Sequence, residues 1–465
     1  MSEAVAHPAA EAPSGATYLP RDATYGSITR DIAAPVFAPA GWRWWTAFLV
    51  TLALTLVMIF AILWLFIEGV GIWGVNADVV WGFAITNYVW WIGIGNAGTL
   101  ISSMLLLTRQ RWRASINRFA EAMTLFAAAI AGLFPILHLG RPYLFYWLVP
   151  YPNVMTLWPQ WRSPLVWDLF AIASYIIFSL LFWYTGLIPD LASLRDRAHT
   201  RFGQLVFGAF ALGWRGSARQ WRRFDAFYWA MAAMAVPLVI SLHSVVGLDF
   251  AAGLMPGWQE TIFPPYFVVG AMFSGFAMVV TLAVPIRWGL RLETFITPTH
   301  FDAMAKILLM GSIIMGASYA TEWFLAWYAG NAAERLVTQF EFSGSYAPLY
   351  WLMLLFNVAL PQLFWWRRTR RSLSAIFAIA ILINVGMWLE RLLIILNTLS
   401  HAYLPARWSD YGPTVWDWAL LLGTLGFFTF LFVCFVRLVP AVSMHEVRQL
   451  AHAQAELEDD DAVLA

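Results

Sequence analysis

Ionisable side chains are scarce in this chain of 465 residues, so those inside its apolar stretches mark where chemistry can be done. The stretch that pairs two of them across consecutive helices runs from Ile136 to Asp168, reading ILHLGRPYLFYWLVPYPNVMTLWPQWRSPLVWD. An apolar helix ends there on His138, and a compact turn, Leu139-Gly140-Arg141-Pro142, follows. A loop rich in Trp, Tyr and Pro comes next, and the following apolar helix carries Asp168 about one turn inside. An imidazole with an ordinary pKa of about 6.5 can accept a proton and hand it on, and a neighbouring carboxylate can orient it. His138 and Asp168 are therefore expected to face each other at the lip of two helices, in a site that moves protons and holds a planar ligand. Arg141 and Tyr143 in the turn, with Asn87 and Trp90 in an earlier apolar stretch, are candidates to line that ligand. Interfacial anchoring is the plain alternative for the Trp.

Other ionisable groups fall at the same level: His243, Asp249, Glu322, Glu390 and Arg391. A charge inside a membrane span is costly and usually faces the protein interior, which makes each a candidate. Asp249 suits a proton relay, although a residue so near a helix end can also simply reach water. Glu390 and Arg391 point about 100° apart on a helix, so each is expected to pair with a different buried charge. Together with Glu322 and His243 they are candidates for a second polar path. Glu121, Asp302 and Asp225 stand near the opposite helix ends and would be its inner members, but the middle of the membrane reads as sparsely polar. His138 and His243 could be taken for haem ligands, yet no matching inner pair exists to carry electrons across.

The elements that position these residues are membrane spans. Hydrophobic residues make up 61% and charged residues 12%, about half the charge of a soluble domain. Runs long enough to cross a hydrocarbon core of about 30 Å recur throughout. They give ten spans, at 44–67, 79–108, 118–139, 164–187, 226–248, 262–286, 303–328, 347–366, 372–396 and 415–437. Residues 1–43 read as a cytoplasmic N-terminal arm without a signal peptide, and 438–465 as a cytoplasmic C-terminal tail whose charged end, Glu456 to Asp461, is solvated. The connections after even-numbered spans hold 18 Arg or Lys against 4 in the odd-numbered ones, so both termini are expected in the cytoplasm and His138 on the outer face. A net charge of +1 argues against nucleic acid, and the single Cys434 excludes an intrachain disulfide or a cysteine-held metal site. Gly93-Ile94-Gly95-Asn96-Ala97-Gly98 matches a nucleotide fingerprint only formally; inside an apolar helix it is expected to permit close packing. Arg111-Trp112 before Phe119-Ala120-Glu121-Ala122-Met123, and Arg287-Trp288 before Phe301-Asp302-Ala303-Met304, suggest that spans 2–5 and 6–9 are two copies of one unit.

On Asn87-Tyr88-Val89-Trp90-Trp91-Ile92-Gly93, His138-Leu139-Gly140-Arg141-Pro142 and the Asp168 helix, the sequence resembles the NrfD-like, polysulfide-reductase-type membrane subunits. Within that family, ten spans and the arm Tyr25-Gly26-Ser27-Ile28-Thr29-Arg30-Asp31-Ile32 look most like the ActC branch, the quinol-binding subunit of alternative complex III. The resemblance implies an all-α integral membrane fold of two four-helix bundles, at about 79–248 and 262–396, with spans 1 and 10 flanking them. It also implies the bacterial inner membrane, with quinol or menaquinol oxidised near the periplasmic face; His138 and Asp168 would then take the protons of its hydroxyls and Asp249 would relay them. Electrons would pass to an iron–sulfur cluster in a periplasmic partner, then to haem c subunits and onward to a terminal oxidase. A homologous membrane subunit, small membrane subunits and lipid would surround a chain that itself holds no cofactor. Proton translocation is a further expectation. Two other readings fit the residues: the quinone-reactive subunit of a molybdenum reductase, which shares fold and site, and a secondary transporter, whose site would sit nearer the midplane.

Overall fold

A computed structural model of the protein describes residues 18–20, 22–148, 161 and 163–464. Among the described residues regular structure is helical throughout, and ten helices are long and apolar enough to span a membrane. They are α1 (Trp42–Glu68), α2 (Phe83–Leu107), α3 (Asn117–Leu137), α4 (Val166–Arg197), α5 (Ala218–Ala251), α6 (Phe263–Gly289), α7 (Pro298–Tyr328), α8 (Ala347–Trp365), α9 (Leu373–Ser400) and α10 (Val415–Leu438). The expected count therefore holds. Helices α2–α5 pack as one group, α6–α9 as a second, and α1 pairs with α10 beside them.

Small residues set the centre. A Cβ added at Gly98 would lie 2.0 Å from the Ala120 carbonyl oxygen, and one at Gly95 3.2 Å from the Ala128 nitrogen. The glycine-rich stretch thus brings α2 against α3 at backbone contact, as its packing reading requires. On another side of α2, Ala97 meets Gly275 of α6, where an added Cβ would come 1.8 Å from the Ala97 Cβ. The two bundles therefore join where α2 and α5 meet α6 and where α2 meets α9, and α2 and α9 are the two most enclosed spans. Gly423 and Gly426 do the same for α10 against Met58 and Leu54 of α1.

Two spans are irregular where polar groups gather. Helix α3 breaks after Ala131, and a short turn, Phe134–Leu137, carries Pro135 where its missing N–H costs nothing. Helix α8 starts as a regular helix, widens to a π-turn at Leu355–Ala359 and tightens to a 3₁₀ helix at Leu360–Trp365. Such π-turns often mark functional positions. This one places the Asn357 side chain in the interior of the second bundle.

Both terminal segments form helices that pack on the rest of the chain. The arm forms a helix, Tyr25–Phe37, opened by a Thr24/Ser27 capping box, and it packs on the C-terminal helix Met444–Leu464. Glu446 pairs with Arg113 at 3.0 Å and accepts from Asn117 at 2.7 Å. Arg118, 2% exposed, pairs with Asp190 at 2.9 Å and donates to Ser443. Buried guanidinium groups need acceptors, and the C-terminal segment helps supply them. Hence the start of the segment after 438 is a structural part of the Arg-rich face.

Candidate functional site

Three helices converge beneath the turn that follows α3. Near the start of α4, Asp168 is 5% exposed. Asp249 comes from the last turn of α5 and Tyr88, 3% exposed, from α2. The Asp168 and Asp249 carboxyls lie within hydrogen-bonding reach of each other, and the Tyr88 hydroxyl lies close to Asp168 without a well-formed hydrogen bond. One oxygen of each carboxyl, and the Tyr88 hydroxyl, are buried without a partner. Native proteins rarely leave such groups orphaned, so each needs an explanation. A facing carboxyl pair can hold one proton between its oxygens.

His138 sits at the end of the broken α3. Its Nδ1 lies against the Phe134 carbonyl oxygen, which can only accept. Nδ1 therefore carries the hydrogen, and Nε2 keeps its lone pair as a base. The expected pairing of His138 with Asp168 is not what the structure shows. Among the described residues no hydrogen bond or ion pair joins the two, and Asp249 takes the place beside Asp168. The reason is local: the ring turns back onto the Phe134 carbonyl one helical turn earlier in its own chain. The adjoining turn opens a cavity of about 530 Å³ lined by Leu139, Gly140, Arg141, Leu144 and Leu148, with Gly140 at φ 76° in the left-handed region. Arg141 thus borders a cavity large enough for a ring and part of a tail, while Tyr143 is 59% exposed. The aromatic cap expected over the site falls largely at 149–160 and 162, outside the described residues.

Of the two α2 candidates, Trp90 has a buried indole N–H with no partner. Asn87 accepts from Trp388 of α9 at 2.8 Å where the bundles meet, and its amide nitrogen, like the Trp90 indole, is buried without a partner.

The remaining candidates separate into distinct groups. Glu390 and Arg391 pair directly, against expectation, because the long guanidinium stem bridges the offset between adjacent positions. Gly270 leaves the room: an added Cβ there would lie 2.7 Å from the guanidinium. Arg391 also sits 4.3 Å over the Phe267 ring. Glu390 accepts from the Tyr319 hydroxyl, and Asn357 donates to Tyr319 at 3.1 Å. His243, 2% exposed, is bonded to Asn96 of α2. Glu121, 1% exposed, accepts from Ser102 at 2.6 Å and Tyr228 at 2.8 Å. Asp302 is clamped by Lys306 at 2.6 Å and Arg370 at 2.9 Å, a surface ion cluster rather than a member of an inner path.

Between these groups the first bundle is less dry than expected. Thr99 bonds to Ser179 at 3.2 Å, its backbone N–H donates to Thr124 at 2.8 Å, and Tyr175 donates to the Gly95 carbonyl at 2.6 Å. Buried hydroxyls and amides thus recur turn by turn from Glu121 to His243. They escape a reading of charges because Ser, Thr, Tyr and Asn carry none.

Glu322 lines a cavity of about 20 Å³, room for one water, together with Glu260, Glu334 and Glu341. Glu260 precedes α6, and Glu334 and Glu341 lie on the helix Ala332–Ser343 between α7 and α8. Burial pushes the Glu341 carboxyl up to about 8 and the Glu260 carboxyl up to about 7. A carboxyl raised in the folded state favours folding below its unfolded pKa and loses that contribution as pH rises through the folded value. From about pH 6 to about pH 9 the Tm of the purified protein is therefore expected to fall by about 2–5 °C, with Glu341→Gln removing most of the drop. A wild-type Tm flat over that interval would contradict the assignment.

With this geometry in view, the sequence pattern of the family described as polysulphide reductase, NrfD, matches residues 71–401. The chain belongs to the NrfD family. A putative membrane subunit of the dimethyl sulfoxide reductase of Halobacterium salinarum is 26% identical over 209 residues, 44% of this chain and 43% of that protein. A selenate reductase subunit of Mesobacillus selenatarsenatis is 22% identical over 414 residues, 83% of this chain and 92% of that protein. The chain thus spans less than half of the first relative and nearly all of the second. As an NrfD-family protein it is a multi-pass membrane protein.

Proposed function

We propose that this protein is the quinol-reactive membrane subunit of a reductase complex. It takes electrons from membrane quinol and passes them to an iron–sulfur cluster of a partner seated on the Arg-poor face. Both named relatives are reductase subunits, which favours this reading over alternative complex III with its haem c subunits and terminal oxidase. The bacterial inner membrane, an outward-facing site and cytoplasmic termini belong to the same proposal, supported by the 18 to 4 split of basic residues.

The observation that carries it is the set of orphaned buried polar atoms on Tyr88, Asp168 and Asp249. A hydroquinone supplies what they lack, two hydroxyl donors on a flat apolar ring. Oxidation to the quinone releases two electrons and two protons. The electrons leave to the partner. One proton goes to the Asp168–Asp249 pair and the other to His138 Nε2, and both continue to water at the Arg-poor face. Arg141 and the apolar wall beside it hold the ring and the start of the tail. Trp90 offers its free N–H. The hydroxyl line from Glu121 to His243 supports a proton route through the first bundle, with Glu322, Glu390 and Arg391 as the corresponding groups of the second.

The deciding experiment replaces His138 with Ala in the assembled complex and follows quinol oxidation by an artificial acceptor. The rate is expected to fall about 10²-fold, the usual contribution of a placed acid–base group. A near-wild-type rate with normal assembly would exclude His138 from the chemistry.

A further inference from the structure

The lipid-facing side of the second bundle holds a groove between α7 and α8, remote from the turn after α3. Its volume is about 590 Å³, and it is lined among others by Ile313, Gly316, Trp323, Trp351, Leu355 and Ala359. Ile313 is 46% and Trp351 54% exposed, so it opens sideways toward the bilayer. The π-turn of α8 lies along it, with Leu355, Val358 and Ala359 on its wall. The polar groups in its floor are already engaged. Ser312 donates to the Asn357 carbonyl at 2.7 Å, Gln362 donates to Ser312 at 3.1 Å and to the Val358 carbonyl at 3.0 Å, and Tyr319 donates to Glu390. A ligand headgroup would find no partner there, and a hydrocarbon chain needs none.

The groove's Arg-rich end is different. Trp365 and Trp366, 63% and 61% exposed, mark the membrane interface just below Gln362. Beyond them come exposed Arg367, Arg368 and Arg371. Lys306, the only lysine of the chain, lies two turns below Ile313 on the same face of α7 and is 60% exposed. Asp302 answers Lys306 and Arg370 together, which leaves this corner strongly cationic. From Ser312 to Trp323 the groove rises about 16 Å, roughly half of a hydrocarbon core of about 30 Å.

We infer that this is a built site for an anionic phospholipid of the leaflet at the Arg-rich face. Its phosphate lies on Lys306, Arg367 and Arg368, and one acyl chain fills the groove up to Trp323 and Trp351. The apolar floor selects a chain over a quinone head, and the cationic corner selects the anionic headgroup.

The test uses the purified full-length protein exchanged into equal phosphatidylglycerol and phosphatidylcholine with matched acyl chains, and native mass spectrometry of the lipid it retains. Wild type is expected to keep phosphatidylglycerol over phosphatidylcholine by about tenfold, in line with the attraction of several basic residues to one anionic surface. The triple variant Lys306→Gln, Arg367→Gln, Arg368→Gln is expected to lose the preference but keep a bound lipid. Ala359→Trp, which fills the groove from the lipid side, is expected to lose bound lipid of both kinds. Equal retention of the two lipids by wild type would overturn the proposal, as would a retained quinone in place of phospholipid or unchanged retention in both variants. The two variants are read separately against their melting curves, so loss of folding in one leaves the other decisive.

Discussion

Asp168→Asn and Asp249→Asn are each expected to slow quinol-linked electron transfer by about 10²-fold or more while the protein still assembles. Asn matches Asp in shape and hydrogen-bonding reach but cannot take up a proton. Both sites are enclosed and near each other, so each single change removes the capacity of the pair to hold a proton. The double variant is then expected to be little worse than either single one, because groups acting as a unit lose their effect together. Assembly is preserved because the replacement removes a charge from a buried place rather than adding one. The measurement is quinol oxidation by the detergent-purified complex, with the partner's cluster spectrum confirming intact assembly. Two small, additive losses would show that the carboxyls act independently and would overturn the pair as a proton acceptor.

Spans are the legible part of this chain, because a run of 18 or more apolar residues has few other uses. The site's location is legible too, since buried charges are rare enough to be counted one by one. Pairings are not. Asp249 reads as a helix-end residue until α5 is seen to bring it beside Asp168, and nothing in their spacing of 81 positions announces that contact. Helix geometry sets Glu390 and Arg391 apart, because it fixes where Cβ atoms point but not where a four-atom stem can reach. Asn357 owes its role to a π-turn, a one-residue change of helical register that apolar periodicity does not record. Glu260 and Glu341 lie between spans, where acidic residues pass for solvated surface until the Ala332–Ser343 helix folds them against Glu322. The terminal segments look ordinary by composition, yet Arg113 and Arg118 require acceptors that only the folded Arg-rich face supplies.

The Glu390–Arg391 pair separates structure from proton movement. Arg391→Met is expected to destabilise the protein by about 3–5 kcal/mol, because it strands the Glu390 carboxylate in an enclosed place. The hydroxyl of Tyr319 and the amide of Asn357 remain as partners, but neither carries a compensating charge. The amount of folded protein recovered from membranes, read by size-exclusion chromatography, should collapse. Glu390→Gln combined with Arg391→Met removes both charges at once and is expected to restore folding to within about 1 kcal/mol. In that double variant, quinol oxidation in detergent should stay near wild type, since the pair lies in the other bundle from Asp168 and His138. Proton movement in sealed vesicles should fall if the pair carries protons, and the proposal expects that fall. Wild-type proton movement in a folded double variant would leave the pair with a purely structural task. Normal yield from Arg391→Met alone would mean that Glu390 is not held as a charge at all, and the cation over Phe267 would then stabilise the site without it.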